Sequence, residues 1–101
     1  MITPINDNDW FIHSRTPRME RLEAYFGGHA YDPHRHDTYA VGVTLAGVQS
    51  FHYRGAHRHS LPGRTIVIHP DEIHDGHAGA AGGFRYRMIY IPPHVFQDIL
   101  R

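Results

Sequence analysis

The sequence predicts an all-β domain, built as a small sandwich or as a closed or nearly closed barrel. Apolar side chains alternate with small or polar ones along most of the chain, and this period of two is typical of strands. Glycine and proline interrupt the alternating segments at short intervals, as turns do in such folds. A chain of 101 residues supports a single hydrophobic core, and closure of the barrel protects its strand edges.

Composition excludes several classes of function. The 10 basic residues, all of them arginine, balance the 10 acidic residues, so no excess positive charge attracts nucleic acid. The chain contains no cysteine, which leaves histidine and carboxylate side chains as metal ligands, and histidine is abundant at 11 residues. Apolar segments are far shorter than the roughly 20 residues of a membrane helix, and the acidic start does not resemble a secretory signal. We therefore expect a cytoplasmic protein without a membrane partner.

The first half of the chain provides an arm and the first strands. Residues 1–19 are predicted to be an N-terminal arm, partly disordered or forming a first strand, and residues 20–91 to form the barrel. Residues 20–26 alternate apolar and charged side chains in a pattern that suits either a strand or a helix. Residues 39–45 and 48–54 both alternate, and the short Ala-Gly connection between them predicts a hairpin.

The second half contains two strands, a loop and a helix. Residues 64–69 are β-branched and continuous, which predicts a strand buried on both faces. Residues 77–83 are nearly all glycine and alanine and predict a loose loop, whereas residues 84–91 predict the last strand. Residues 92–101 begin with two prolines and have apolar side chains four apart, which predicts the start of a helix. Because so short a helix is unstable alone, we expect a truncated element whose remainder belongs to a longer natural protein.

Histidines stand at metal-ligand spacing in two places. His34 and His36 are two residues apart, so on an extended chain both imidazoles emerge on one face and can converge on an ion. His74 follows a predicted strand in a turn that could aim it into the mouth of the barrel, with Asp71 or Asp75 available to orient an imidazole. The alternatives are imidazoles that hydrogen-bond the backbone and a solvated acidic turn.

The remaining sequence offers little chemistry. His57 and His59 repeat the spacing of two, but they lie between a glycine and a proline and are predicted to sit on a surface hairpin. The serines lack the Gly-x-Ser-x-Gly context of a nucleophile, and the glycine-rich segment leads into a strand rather than into a phosphate-binding helix. Nothing in the sequence indicates nucleophilic catalysis.

These spacings resemble the two motifs of the cupin superfamily. The pattern is Gly28-x5-His34-x-His36-x10-Gly47, followed by Pro62-Gly63 and then Pro70-Asp71-Glu72-Ile73-His74. The closest resemblance is to the N-terminal sensor domain of AraC-type transcriptional regulators, where a Phe-x-Tyr-x-Gly stretch, here residues 51–55, lies between the motifs. The resemblance covers roughly residues 20–101.

The resemblance implies a fold and a function. It implies a cupin double-stranded β-helix whose interior binds a small effector without catalysis. Full-length members continue into helices that dimerise and into helix-turn-helix units that read DNA. The resemblance therefore implies a transcription regulator, activating or repressing, that is a homodimer and contacts DNA only through a C-terminal domain absent from this chain.

The resemblance also implies the site. Matching positions of the family's pocket give six candidate ligand-binding residues, which are His34, His36, Ala40, His74, Tyr86 and Met88. Such aromatic and imidazole groups suit a sugar or an aromatic metabolite. His34, His36 and His74 are also the candidate ligands of a divalent metal, Zn²⁺, Ni²⁺ or Fe²⁺, because three protein ligands plus water make a complete open site.

One departure from the family pattern argues against an enzyme. Enzymatic cupins complete the metal site with a carboxylate separated from the second histidine by three or four intervening residues, and those positions here are Ala40 and Val41. We therefore expect no catalysis. The alternatives are a stand-alone metal-dependent cupin enzyme and a structural barrel with surface histidines.

One strand face is expected to need a cover. Val41, Val43 and Leu45 are predicted to face outward, away from the small interior residues of the same strand. An apolar outer face must be covered, and further C-terminal helices or a second copy of the chain would do so. This pattern predicts self-association or docking.

Overall fold

The computed structural model describes residues 8–100, except the side chain of Ile99. This part of the chain forms nine strands and one helix, as the all-β prediction requires. The elements are β1 (Trp10–Arg15), β2 (Glu20–Phe26), β3 (His29–His34), β4 (Tyr39–Gly47), β5 (Gln49–Tyr53), β6 (Ala56–Ser60), β7 (Thr65–Ile68), β8 (His74–Ala78), β9 (Phe84–Ile91) and α1 (Pro93–Leu100).

The strands form two antiparallel sheets with a shared core. The first sheet has the order β1-β2-β9-β4-β7 and the second the order β3-β8-β5-β6. Alternate side chains of β2, β4 and β9 point into the space between the sheets, which is why these strands show the clearest period of two. Phe26, Phe84 and Tyr86 fill one end of the interior, with ring centroids 5.5–6.3 Å apart.

The predicted hairpin of residues 39–54 is wrong. β4 pairs with β7 and β9, whereas β5 pairs with β6 and β8, so the chain passes from one sheet to the other between them. Gly47 makes this crossing possible, because its φ is 73° and a Cβ there would lie 2.0 Å from the carbonyl oxygen of Gly83. An Ala-Gly connection indicates a turn but not which strands pair.

The hairpin of this region joins β5 to β6 instead. Its loop consists of Arg54 and Gly55, whose φ values of 51° and 73° are those of a type I′ turn. The exposed strand β6 follows, so the predicted surface position of His57 and His59 is confirmed.

A strand was missed between the predicted strands of the second half. Residues 77–83 were expected to be a loop, but β8 runs through His77 and lies between β3 and β5. The composition of β8 lacks strand-forming side chains, and pairing on both sides stabilises it instead. Gly76 is required there, because a Cβ would lie 2.3 Å from Cζ of Tyr31.

Strand β7 is buried on one face only. Ile66 and Ile68 point into the core, whereas Val67 is 47% exposed, so the predicted burial on both faces is wrong. The strand lies at the edge of the first sheet. A short β-branched run does not distinguish an edge strand from a central one.

The two ends of the described chain are ordered elements. β1 pairs with β2 along its whole length, which makes residues 10–15 part of the first sheet, while the arm prediction for residues 1–7 lies outside the described residues. Strand β2 decides the strand-or-helix alternative in favour of a strand. Helix α1 lies where a helix was predicted, with Val95 buried and Phe96 against Tyr39. Within residues 8–100, no helix is long and apolar enough to cross a bilayer.

Candidate functional site

Three histidines from separate segments meet at one end of the interior. His34 ends β3, His74 begins β8 directly opposite it, and His36 lies in the connection to β4. We call these residues the inner triad. Their ring centroids are 4.5–5.8 Å apart, and one ligand nitrogen from each lies within 4.8 Å of the others. The expectation that His34 and His36 share one face of an extended strand is wrong, because β3 ends between the two histidines, yet the imidazoles still converge.

The inner triad is oriented by the backbone. Each Nδ1 donates to a carbonyl two residues away, since a carbonyl oxygen can only accept. The pairs are His34 with Asp32 at 2.8 Å, His36 with Thr38 at 3.2 Å and His74 with Glu72 at 3.0 Å. This arrangement leaves each Nε2 with its lone pair free. Asp75, an expected orienting group, instead accepts from His52.

The inner triad fits a divalent metal. Nε2 of His36 is buried and has no hydrogen-bond partner among the residues that the structure describes, and a buried polar atom without a partner is costly. Burial lowers the pKa of both His36 and His74, so both imidazoles are neutral, which is the form that binds metals. Three imidazoles at this separation match an open three-histidine site. No carboxylate belongs to this group among the described residues.

A cavity of about 360 Å³ lies beside the inner triad, between the two sheets. It is lined by five of the six residues predicted from sequence, which are His34, Ala40, His74, Tyr86 and Met88. The sixth, His36, stands against His74 and against Tyr90, another lining residue, with ring centroids 4.9 and 5.4 Å away. The structure therefore brings the predicted residues together around one space.

Two lining tyrosines were missed by sequence reasoning. Tyr90 continues the inward positions 86 and 88 of β9, so the period of two could have found it. Tyr31 had no such signal, because β3 shifts register on either side of it. Burial raises the pKa of Tyr31 to about 12, and it also raises the pKa of Tyr86 and of Tyr90. All three phenols are therefore neutral at physiological pH and can donate hydrogen bonds.

A larger groove of about 610 Å³ lies on the outer face of the first sheet. Val41 and Val43 line it, as the outward direction predicted for them requires, together with Ile12 of β1. The ion pair between Arg87 and Glu23, at 2.7 Å, lies within it. No histidine lines this groove among the described residues, whereas His34 and His74 line the smaller interior cavity.

Two facing antiparallel sheets with a histidine triad at one end define a cupin barrel, and solved cupin structures share the fold. A cupin superfamily protein from Desulfitobacterium hafniense is 12% identical and has a TM-score of 0.76, with 90% of this chain and 84% of that one covered. KdgF from Halomonas sp. is 17% identical and has a TM-score of 0.71, with 88% of this chain and 84% of that one covered. The cupin domain of an XRE family transcriptional regulator from Enterobacter cloacae is 12% identical and has a TM-score of 0.70, with 84% of this chain and 97% of that one covered.

The family itself is given by sequence. The family model of the AraC-like ligand binding domain matches residues 16–101, and the chain belongs to this family. The resemblance on the histidine and glycine spacings is thereby confirmed, as is the cupin fold it implied. A search of curated protein sequences finds no match.

Proposed function

We propose that this chain is the effector-sensing domain of an AraC-type transcriptional regulator. A small molecule binds in the cavity between the sheets and shifts the population of conformations through its unequal affinity for them. The observation that supports this proposal is the interior cavity beside the inner triad, in a chain of a ligand-binding family. Binding of this kind needs no chemical step, and we propose none.

The effector is proposed to be a sugar or an aromatic metabolite. Tyr31, Tyr86 and Tyr90 offer ring faces for stacking and neutral hydroxyl groups for hydrogen bonds to ligand oxygens. Met88 and Ala40 supply the apolar part of the wall. A ligand with a flat or ring-shaped body and several oxygens satisfies both kinds of surface.

A divalent metal is proposed as the cofactor of the inner triad. His34, His36 and His74 would hold Zn²⁺, Ni²⁺ or Fe²⁺ through the nitrogens that the backbone leaves free. The ion would act as a Lewis acid toward an oxygen of the effector. The chain's own contribution is to fix the three imidazoles, and the cavity residues then orient the rest of the ligand.

The output of the sensor is proposed to lie outside these residues. DNA would be contacted through a helix-turn-helix domain elsewhere in the regulator, which fits the zero net charge of this chain. The outer groove with Val41 and Val43 is proposed to pack against a second copy, giving a homodimer. We propose a cytoplasmic location for the regulator, where it meets both metabolite and DNA.

Ligand binding can be tested by thermal unfolding with a panel of pentoses, hexoses and aromatic carboxylic acids. A ligand at 100 times its Kd adds about 2.7 kcal/mol to the free energy of unfolding. Ala40→Leu places three more carbons in the cavity and should abolish the stabilisation. Val41→Leu, on the opposite face of the same strand, is the matched control and should retain it. Equal stabilisation of both variants would place the ligand elsewhere.

The second candidate function is a metal-dependent cupin enzyme. The buried Nε2 of His36, which has no partner among the described residues, favours this function. That atom can bind a metal ion, and a metal-dependent enzyme requires such a ligand. The alanine and valine at the position of the family's carboxylate argue against it. Turnover of a panel compound by the metal-loaded chain, lost in His34→Ala/His74→Ala, would establish the enzyme. Binding without turnover would support the sensor.

A further inference from the structure

A second group of histidines lies on the opposite side of the second sheet. His52 of β5, His57 of β6 and His77 of β8 come from three adjacent strands, and we call them the outer cluster. Their neighbours along the strands, such as Phe51 and Gly76, are buried, so these imidazoles project from the outer face. The inner triad lies on the other face of the same sheet.

Strand register brings the outer cluster together. His52 and His57 are directly opposite each other on β5 and β6, with ring centroids 4.4 Å apart. Nε2 of His57 lies 3.0 Å from Nε2 of His77. One ligand nitrogen from each of the three residues lies within 4.8 Å of the others. Sequence alone could not find this group, because its members are on three strands whose pairing was not predicted.

The contact between His57 and His77 gives the spacing of two metal ligands. At 3.0 Å the Nε2–H of one ring donates to the Nε2 lone pair of the other, and a metal ion that displaces this proton would bind both lone pairs. Tetrahedral zinc with bonds of about 2.0–2.1 Å places its nitrogen ligands about 3.4 Å apart. The observed separation is close to this value, so a small outward movement of either ring accommodates the ion.

The third histidine is held by a carboxylate. Nδ1 of His52 donates to Oδ2 of Asp75 at 2.8 Å, and the backbone N–H of His52 donates to Oδ1 at 2.6 Å. Asp75 thereby fixes the ring and leaves Nε2 of His52 as the ligand atom. A carboxylate behind a histidine is the usual support of a metal-binding imidazole.

We propose that His52, His57 and His77 form a second transition-metal site, separate from the inner triad. The site binds a divalent ion that favours imidazole, such as Zn²⁺, Cu²⁺ or Ni²⁺, with water completing the coordination. The bound ion joins three strands and fastens the edge strand β6 to β8, two strands away. Because His52 and His57 are exposed, a metal ion reaches the site directly from solution.

The test measures zinc retained by the protein. Chain without an affinity tag is equilibrated with excess Zn²⁺, passed through gel filtration in metal-free buffer and assayed for zinc per chain. His57→Ala/His77→Ala should retain one zinc fewer than the wild type. His13→Ala/His94→Ala removes two exposed histidines outside both groups and should retain as much as the wild type. Equal zinc in the wild type and in the outer variant overturns the proposal.

A second measurement isolates the outer cluster. In His34→Ala/His74→Ala, which lacks the inner triad, Zn²⁺ should still raise Tm, and adding His57→Gln should abolish that rise. His57 is exposed on a hairpin strand, so we expect His57→Gln to leave the fold intact. If circular dichroism shows that His57→Ala/His77→Ala is unfolded, His57→Gln replaces it in the zinc assay. A Tm rise that survives His57→Gln overturns the proposal. These outcomes are independent of effector binding.

Discussion

Strand β8 contributes His74 to the inner triad and His77 to the outer cluster, and the two groups orient their imidazoles by different means. In the inner triad every Nδ1 donates to a backbone carbonyl, and the rings lie at strand ends and in a connection. In the outer cluster a side-chain carboxylate holds His52, and strand register sets the spacing. The first arrangement depends on local backbone shape and the second on sheet pairing and one carboxylate.

The difference determines how each group can be disrupted. A carbonyl cannot be removed by substitution, so the inner triad is sensitive to loss of its ligands and to changes of backbone. The outer cluster adds a third point of attack, the supporting carboxylate of Asp75. In the inner triad His36 is half-buried and His74 buried, and this burial lowers the pKa of both, which sets how they respond to acid.

The largest expected effect is loss of the metal that we propose for the inner triad. His34→Ala/His74→Ala leaves a single ligand, and we expect the retained zinc to fall by one per chain while the outer cluster keeps its own. The measurement is zinc content after gel filtration, with His13→Ala/His94→Ala as the matched control. An unchanged zinc content would mean that the inner triad is a hydrogen-bonded cluster rather than a metal site.

Removing the supporting carboxylate should weaken only the outer cluster. Asp75→Asn takes away the charged acceptor behind His52, and we expect its zinc affinity to fall about 10- to 100-fold. Asp32→Asn is the matched control, because the Asp32 carboxylate pairs with His29, which lies outside the outer cluster. Calorimetric titration in the His34→Ala/His74→Ala background measures the change. Equal affinities for the two variants would contradict the role of the carboxylate.

Strand β8 itself can be tested at the glycine between the two groups. Gly76→Ala forces its Cβ against the ring of Tyr31, and we expect the free energy of unfolding to fall by about 1–3 kcal/mol. Gly28→Ala is the control, because no described residue other than its chain neighbours lies within 4 Å of its Cβ position and its φ is not positive. Urea denaturation measures both. Equal stability of Gly76→Ala and the wild type would show that Tyr31 moves at no cost.

Much of the fold could be predicted, because alternation of apolar and polar side chains indicates a strand with one buried face. Strands β4 and β9 and the turns around them follow from their side chains alone. Pairing could not be predicted, because the Ala-Gly connection after β4 looks the same whether the chain folds back or crosses to the other sheet. Strand β8 was missed because ladder hydrogen bonds on both sides, rather than side-chain preference, make it a strand.

The candidate site, like the fold, could be predicted only in part. The spacing of His34, His36 and His74 indicated the inner triad, although the reason offered, one shared strand face for the first two, was wrong. Tyr31 escaped because it lies in a strand of irregular register. The outer cluster needed the pairing of three strands, and pairing is the information that a single sequence contains least.

The smallest expected effect is the loss of folding stability at acidic pH. Burial lowers the pKa of His36 and of His74 below the value of an unfolded histidine, about 6.5. Between the unfolded and folded pKa values the unfolded chain binds more protons, so stability is present above about pH 6.5 and is lost as the pH falls through the folded values. Urea denaturation with a chelator present should give a lower free energy of unfolding at pH 5.5 than at pH 7.5.

The same experiment distinguishes the histidines from the acidic groups. Hydrogen bonds from Arg54 and Tyr53 lower the pKa of Glu72 to about 2, so its contribution is lost only at more acidic pH. His36→Asn removes one buried imidazole and should therefore reduce the difference between pH 7.5 and pH 5.5. His94→Asn, on the exposed face of α1, is the control and should leave it unchanged. An equal pH dependence in both variants would mean that burial of the inner triad does not govern the response to acid.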